Sequence, residues 1–161
     1  MAGSCVISAV DMQQPSTQFT QPTLLDRIIN RAFGFMVKLG LGLSHNFMLE
    51  VRGRKSGRIY STPVNVLEYK EKKYLVAPRG DTQWVRNVVV DLKATLVKGA
   101  KREIVRLRPI ADETKAEILK AYLDRYKLTV QRYFPIPAGS PLKEFEPLVG
   151  RYPVFEITPE T

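Results

Sequence analysis

The chain has 161 residues, 44% hydrophobic and 25% charged, which is enough for one domain with an ordinary packed core. Lysine and arginine outnumber aspartate and glutamate by 25 to 16, and the net charge of +9 favours an anionic partner. One cysteine, Cys5, excludes an intrachain disulfide framework, and one histidine, His45, argues against a zinc site or a Ser/His or Cys/His catalytic pair. Charge alone does not separate nucleic acid, an acidic membrane and a small phosphorylated or carboxylated molecule, and it also fits plain solubility.

The start of the chain divides into a polar stretch and a helix-like stretch. Residues 1–22 are rich in glutamine and proline, which predicts a flexible tail ahead of a single domain over 23–161. A basic n-region is missing and Asp11 interrupts the first apolar run, so we expect no signal peptide and a cytoplasmic protein. Residues 23–38 have apolar side chains at helical spacing and a basic edge. Such a helix suits two places, the face of a sheet or peripheral contact with a membrane.

Short segments of alternating polarity follow and predict a β-rich domain. The strand-like segments are residues 47–52, 58–69, 73–77, 95–98, 103–110 and 154–157. Pro63 lies inside the second of them, which implies an edge, a bulge or the start of a new strand. A helix capped by Asp112 is expected through about Lys127. Many short strands with few helices indicate a small barrel with helices packed outside it.

The run Gly53-Arg54-Lys55-Ser56-Gly57-Arg58 is the most informative feature of the sequence. Together with Arg52 it places four cations within seven residues, between two predicted strands. Two glycines allow a tight turn with close ligand approach, and Ser56 adds a hydroxyl donor. Converging donors of this kind suit a phosphate, although a solvated hairpin turn is the alternative. The spacing of a P-loop is absent, so nucleoside triphosphate hydrolysis is not expected.

Three further residues are candidates for ligand binding. Trp84 and Asn87 share one face if residues 82–90 are helical, where tryptophan can stack on a flat ligand and asparagine can bond its polar edge. The other interpretation is that Trp84 belongs to the core and Asn87 caps a backbone group. Arg79 follows a strand beside Gly80, a location where loops often carry binding groups.

Tyrosines and a second group of cations occupy the later part of the chain. Tyr126 and Tyr133 are the candidate catalytic residues, because a tyrosine hydroxyl can donate a proton to a substrate oxygen. At helical spacing, Tyr122 and Tyr126 also suit a core. The second positive region can follow a polyanionic tail or RNA, or simply face solvent. Its members are Lys98, Lys101, Arg102, Arg106 and Arg108.

The order and spacing of these elements resemble the deazaflavin-dependent nitroreductase and quinone reductase family, whose members bind coenzyme F420 in a split β-barrel. The stretches that match are Gly53–Gly57, Thr62-Pro63, residues 74–80 and Trp84–Asn87. The resemblance runs from about Thr23 to Ile157. It implies an α+β, mainly β, FMN-binding-like split barrel with flanking helices.

The resemblance also implies a site and an activity. The cofactor phosphate would fall to Arg54, Lys55, Ser56 and Gly57. The residues that would line the deazaflavin ring are Thr62, Pro63, Val64, Asn65, Ala77, Arg79, Trp84 and Asn87. The implied reaction is hydride transfer from reduced F420 to a small hydrophobic quinone, enone or nitro acceptor, with no metal and no nucleic acid, in a monomer or homodimer. A split barrel that binds FMN, haem or another tetrapyrrole is the first alternative, and a basic RNA-binding barrel is the second.

Overall fold

The structure is a computed structural model, and it describes residues 44–160. Within this range six antiparallel strands close into a barrel in the order β1-β2-β3-β6-β5-β4. The strands are β1 (Asn46–Arg52), β2 (Ile59–Tyr69), β3 (Lys72–Val76), β4 (Lys93–Lys98), β5 (Lys101–Pro109) and β6 (Val154–Pro159). The helices are α1 (Gln83–Asp91) and α2 (Asp112–Val130), with short 3-10 turns at Gln131–Tyr133, Leu142–Glu144 and Glu146–Arg151. The predicted α+β, mainly β, split-barrel fold is confirmed.

The predictions for the start of the chain lie outside the described residues. These are the tail over 1–22 and the helix over 23–38, together with its contact to a sheet or a membrane. Within residues 44–160 no helix has the length and apolar character needed to cross a membrane.

The barrel interior follows from the alternation of side chains along each strand. Inward-facing aliphatic residues of all six strands meet there, and they pack against Val85 and Val88 of α1. The most deeply buried are Leu49, Leu75, Val105 and Leu107, each at 0% exposure. Burying each such side chain contributes roughly 1.5–3 kcal/mol, so the interior is the main support of the barrel.

Helix α2 builds a second core on the outside of the β2–β3 wall. Leu119, Leu123 and Phe145 are fully buried there against Leu67 and Tyr74. The helix begins at Asp112 with Ala111 as its N-cap residue, so the prediction that Asp112 caps the helix is wrong by one position. Its carboxylate lies in the first turn, where the helix dipole favours negative charge.

Strand β2 has two halves with different neighbours. Residues 59–65 pair with β1, whereas residues 66–69 pair with β3. Among the described residues the first half is therefore paired on one side only, and the barrel wall opens beside it. Pro63 lies in this half, opposite Met48, where its missing N–H leaves no ladder bond unmade. The prediction that Pro63 marks an edge is confirmed.

Candidate functional site

The Gly53–Arg58 turn joins β1 to β2 and is closed by its own backbone. The amide of Gly53 donates to Arg58 O at 2.7 Å, and that of Gly57 donates to Gly53 O at 2.8 Å. Gly57 has φ of +68°, a left-handed conformation that favours glycine. A Cβ on Gly53 would lie 2.5 Å from Tyr60 Cε2, so the tyrosine ring packs where only glycine leaves room. The turn is thus a shaped loop whose cationic side chains remain exposed.

The charge of this turn is not neutralised by nearby acids. No aspartate or glutamate occurs between Glu50 and Glu68 in the sequence. In the part of the chain that the structure describes, Arg52, Lys55 and Arg58 form no ion pair. Ser56 Oγ lies 3.2 Å from the Tyr60 hydroxyl and accepts the Arg58 amide at 3.3 Å. An anion placed here would meet several cations and hydroxyl groups without displacing a carboxylate.

Helix α1 fastens the turn to the barrel. Arg54 Nη1 donates to Asn87 Oδ1 at 2.8 Å and to Gln83 Oε1 at 3.2 Å, and the Arg54 amide reaches the same Asn87 oxygen at 3.3 Å. Asn87 is buried, whereas Gln83 is exposed. Trp84, half-buried on the same helix, lies against Phe155 with ring centroids 5.7 Å apart. The predicted helix that holds Trp84 and Asn87 is therefore confirmed. It connects the barrel interior with the Gly53–Arg58 turn.

Within residues 44–160 a gap in strand pairing, which we call the opening, lies between the edge of β2 over residues 59–65 and the chain that follows β3. Leu75 pairs with Val66, so continuing the antiparallel register places Ala77 across from Val64. Ala77 is fully buried, and its amide donates to Pro153 O at 2.9 Å. The chain then turns through Arg79, which is half-buried, and enters α1. Val64 of the edge, Ala77 of this loop and Trp84 of α1 pack in or against the same apolar cluster. Helix α1 is bonded to the Gly53–Arg58 turn through Arg54 and Asn87.

Along its first half, the edge of β2 carries backbone groups that face the opening and pair with no other described strand. The Val66 amide donates to His45 O on the β1 side at 2.8 Å. Because the amide direction alternates along a strand, the backbone groups of Ser61, Pro63 and Asn65 face away from β1. About 20 Å separate Ile59 and Asn65, at a rise of roughly 3.3 Å per residue. The edge therefore suits an elongated ligand whose anionic end lies at the turn.

The candidate tyrosines lie at the far end of this edge and beyond it, among the side chains of α2. Tyr126 donates its hydroxyl proton to Val66 O at 2.8 Å, and its ring centroid lies 4.6 Å from that of His45. Burial raises the pKa of Tyr126. The Tyr133 hydroxyl accepts an N–H from Arg132 at 2.7 Å, and no bond that it donates to another described residue is observed.

Asn65, on the first half of β2, also lies close to a tyrosine of α2. Burial raises the pKa of this tyrosine, Tyr122, and the Asn65 side chain is near enough to its hydroxyl to lower that pKa by a smaller amount. The side chain of Asn65 is thus partly committed to α2 rather than wholly available to a ligand.

The structure brings most of the candidate residues together around the opening. Arg54, Lys55, Ser56 and Gly57 lie in the turn, Thr62, Pro63, Val64 and Asn65 on the first half of β2, Ala77 and Arg79 in the loop after β3, and Trp84 and Asn87 on α1. Tyr126 and Tyr133 lie with α2 and the segment after it, and their catalytic role stays a prediction. Sequence reasoning missed Gln83 and Tyr60. Gln83 stands four residues before Asn87 on α1, so helical spacing signalled its contact with Arg54, but nothing in the sequence signalled Tyr60 packing on Gly53.

The geometry fits a phosphorylated cofactor with a planar ring. Within the part of the chain that the structure describes, cations without acidic partners stand at one end of the opening, and backbone groups of β2 that no strand pairs lie along it. The Thr82 hydroxyl at the N-terminus of α1 is buried and makes no hydrogen bond to any described residue, so it can serve a polar ligand group.

Known proteins with similar structures share the fold. The protein Atu2129 of unknown function from Agrobacterium tumefaciens str. C58 is 16% identical with a TM-score of 0.54, over 88% of this chain and 60% of that chain. HutZ, the heme storage protein from Vibrio cholerae, is 9% identical with a TM-score of 0.51, over 81% of this chain and 87% of that chain. An F420-H2 dependent reductase, FDR-A, is 20% identical with a TM-score of 0.49, over 71% of this chain and 95% of that chain.

Sequence comparison is more specific than the fold. A search of curated proteins gave no significant match. The model of the F420H(2)-dependent quinone reductase family, however, matches residues 27–134, which is most of the chain. The chain therefore belongs to the F420H(2)-dependent quinone reductase family and is a reductase that uses coenzyme F420.

Proposed function

We propose that this protein transfers a hydride from reduced F420 to a quinone. In this proposal the Gly53–Arg58 turn holds the cofactor phosphate, and the edge of β2 borders the deazaflavin ring. The observation that supports it most directly is the position of the unpaired cations at one end of an open strand edge. We also propose that residues 23–161 form one domain that works in the cytoplasm, which the single cysteine supports.

The anionic end of the cofactor matches the turn. Lys55 and Arg58 have no acidic partner among the described residues, and Arg54 keeps unused guanidinium donors. Ser56 adds a hydroxyl group. Charge-assisted hydrogen bonds to a phosphate are stronger than neutral ones, so these residues would supply much of the binding free energy.

The ring end matches the opening. The backbone carbonyl of Pro63 and the backbone amide of Asn65 face the open side and can bond the polar edge of a planar ring. Val64, Ala77 and Trp84 provide apolar surface that limits access of water. When bound, reduced F420 supplies the hydride, while the protein supplies position and electrostatics.

Of the three acceptor classes, a quinone depends least on a tyrosine as the proton donor. A reduced quinone oxygen is stabilised by the aromatic ring and can take its proton from water, whereas an enone must be protonated at carbon. The proton of Tyr126 is donated to Val66 O, so this residue is poorly placed to serve an acceptor. Tyr133 is the better candidate donor, because its hydroxyl only accepts in its bond with Arg132. We therefore expect Tyr133→Phe to leave quinone reduction nearly unchanged and to slow any enone reduction.

Two measurements test the proposal. The first is titration with oxidised F420 followed by fluorescence, with FMN as the competitor, and we expect micromolar or tighter binding of F420 alone. The second compares menadione, a nitroimidazole and cyclohexenone as acceptors for reduced F420, and we expect the highest kcat/KM for menadione. Absence of F420 binding, or a copurifying yellow or haem chromophore, would contradict the cofactor. Faster turnover of cyclohexenone would contradict the acceptor.

A further inference from the structure

Arg54 differs from the other cations of the turn because its side chain is fixed to another element. Both hydrogens of Nη1 are used, one on Asn87 Oδ1 at 2.8 Å and one on Gln83 Oε1 at 3.2 Å. A guanidinium has five N–H donors in a planar fork. The Nε and Nη2 donors make no bond to any described residue, and they share the edge of the guanidinium that can take two oxygens of one phosphate.

Asn87 is a rigid anchor for this arrangement. It is 6% exposed, and its helix packs into the barrel interior through Val85 and Val88. Its single carboxamide oxygen accepts from both the side chain and the backbone amide of Arg54, the latter at 3.3 Å. One residue thereby sets both the position of the turn and the plane of the guanidinium. Gln83 is exposed, so it holds the same group more loosely.

We propose that Asn87 is a positioning residue for anion recognition. It holds Arg54 so that the Nε and Nη2 edge faces the phosphate, and it does not read the deazaflavin ring. The physical gain is that an arginine held in its bound rotamer loses less conformational entropy when the anion arrives. The inference rests on the proposed function only in taking the phosphate of F420 as the anion.

The test compares F420 with a phosphate-free deazaflavin that carries only the ring and its ribityl chain. We expect Asn87→Ala to weaken F420 binding about tenfold, equivalent to about 1.4 kcal/mol, and to change binding of the phosphate-free compound less than about twofold. In an Arg54→Ala background, Asn87→Ala should have no further effect. Gln83→Ala, the matched control on the same helix face, should weaken F420 binding less than about threefold. Equal weakening of both compounds, or an effect that persists without Arg54, would overturn the proposal.

A second variant covers the case in which Asn87→Ala does not fold, which thermal denaturation will show. Arg54 is exposed, so Arg54→Lys should not disturb packing. The substitution keeps the positive charge but removes the planar guanidinium with its two parallel N–H donors. We expect it to weaken F420 binding about tenfold and to spare the phosphate-free deazaflavin. Wild-type affinity for F420 in Arg54→Lys would show that charge alone matters and would overturn the proposal.

A third arm separates this inference from the proposed function. If the wild-type protein binds neither deazaflavin, the proposed function fails, and the same variants are titrated with inorganic phosphate by following the amide resonances of Gly53 and Gly57. Phosphate-dependent shifts that weaken about tenfold in the Asn87 or Arg54 variant support the positioning role. Shifts that are absent from the wild type, or unchanged in the variants, overturn it.

Discussion

Two cation-rich regions of this molecule look alike in the sequence and differ in the structure. We call them the anion turn, which comprises Arg52 and the Gly53–Arg58 turn, and the β5 face. The β5 face consists of Lys98, Lys101, Arg102, Arg106 and Arg108. All three arginines of the β5 face have acidic partners, whereas the cations of the anion turn have none among the described residues. The partners on the β5 face are Glu50, Glu160 and Glu156, for Arg102, Arg106 and Arg108 respectively.

The difference comes from topology. Strand β5 lies inside the sheet between β4 and β6, so acidic residues from other strands reach its arginines. Arg108 stands directly opposite Glu156 in the register with β6, and Arg102 reaches Glu50 on β1, the strand beyond β4. The anion turn joins the ends of a hairpin, and within residues 44–160 no strand brings a carboxylate into an ion pair with it. The arginines of the β5 face therefore serve the barrel, whereas the cations of the anion turn, which have no acidic partner among residues 44–160, are available to a ligand. Counting charges along the sequence could not separate these two roles.

The largest difference between the two regions is expected when two charges are removed from each. We expect Arg54→Ala with Lys55→Ala to weaken F420 binding by roughly two orders of magnitude or more, since each charge-assisted hydrogen bond contributes about 1.5–3 kcal/mol. Lys101→Ala with Arg106→Ala removes the same net charge from the β5 face and should change affinity less than about twofold. Fluorescence titration of F420 measures both. Similar losses in the two double variants would show that only total charge matters.

A substitution in the ion pairs of the β5 face should change the stability of the protein rather than its affinity for F420. Glu156 has a side chain only 10% exposed and bonds Arg108 on β5 and Lys72 on β3, so it ties three adjacent strands. We expect Glu156→Gln to lower the free energy of unfolding by roughly 1–3 kcal/mol at neutral pH, without changing F420 affinity. Urea denaturation measures the loss. Glu103→Gln is the control, because Glu103 makes no ion pair in the described part of the chain.

The pH dependence of that loss follows from the pKa of Glu156. Burial opposes ionisation of this carboxyl, but the bonds from Arg108 and Lys72 outweigh burial and hold its pKa below the ordinary value of 4.5. As the pH falls below 4.5, the unfolded chain therefore takes up the proton first, and the stabilisation disappears as the pH passes through the lower folded-state pKa. The effect of Glu156→Gln should be full at neutral pH and small in acid. An equal loss at both would contradict the ion-pair explanation.

Much of the fold could be predicted because its signals are local. Alternation along residues 47–52 and the proline at position 63 indicated strands and an edge, and both are observed. Helical spacing placed Trp84 and Asn87 on one helix. The register of pairing could not be predicted, because it depends on how six strands close around a shared interior. Without that register, the opening beside β2 could not be predicted from the sequence.

The candidate site also has a part that local sequence patterns predicted and a part that they did not. Arg54 and Lys55 stood out because cations and glycines in one turn are a local pattern. The bond between Arg54 and Asn87 joins residues 33 positions apart, and that between Tyr126 and Val66 spans 60, so each depends on packing that no local pattern encodes. A side chain predicted from the sequence to bind a ligand can therefore already be bonded to another residue in the fold, as Tyr126 is to Val66.

The smallest expected effect tests whether the shape of the anion turn matters in addition to its charge. A Cβ added at Gly57 or at Gly150 meets nothing within 4 Å, so neither Gly57→Ala nor Gly150→Ala creates a clash. Only Gly57 has a positive φ, +68°, where alanine is strained by roughly 1–2 kcal/mol. We expect urea denaturation to show a loss of about 1 kcal/mol for Gly57→Ala and almost none for Gly150→Ala. F420 affinity should fall a few-fold only in Gly57→Ala, because relaxing the left-handed residue moves the backbone that carries Lys55 and Ser56. Equal stability and affinity in the two variants would mean that the anion turn acts through its charges alone.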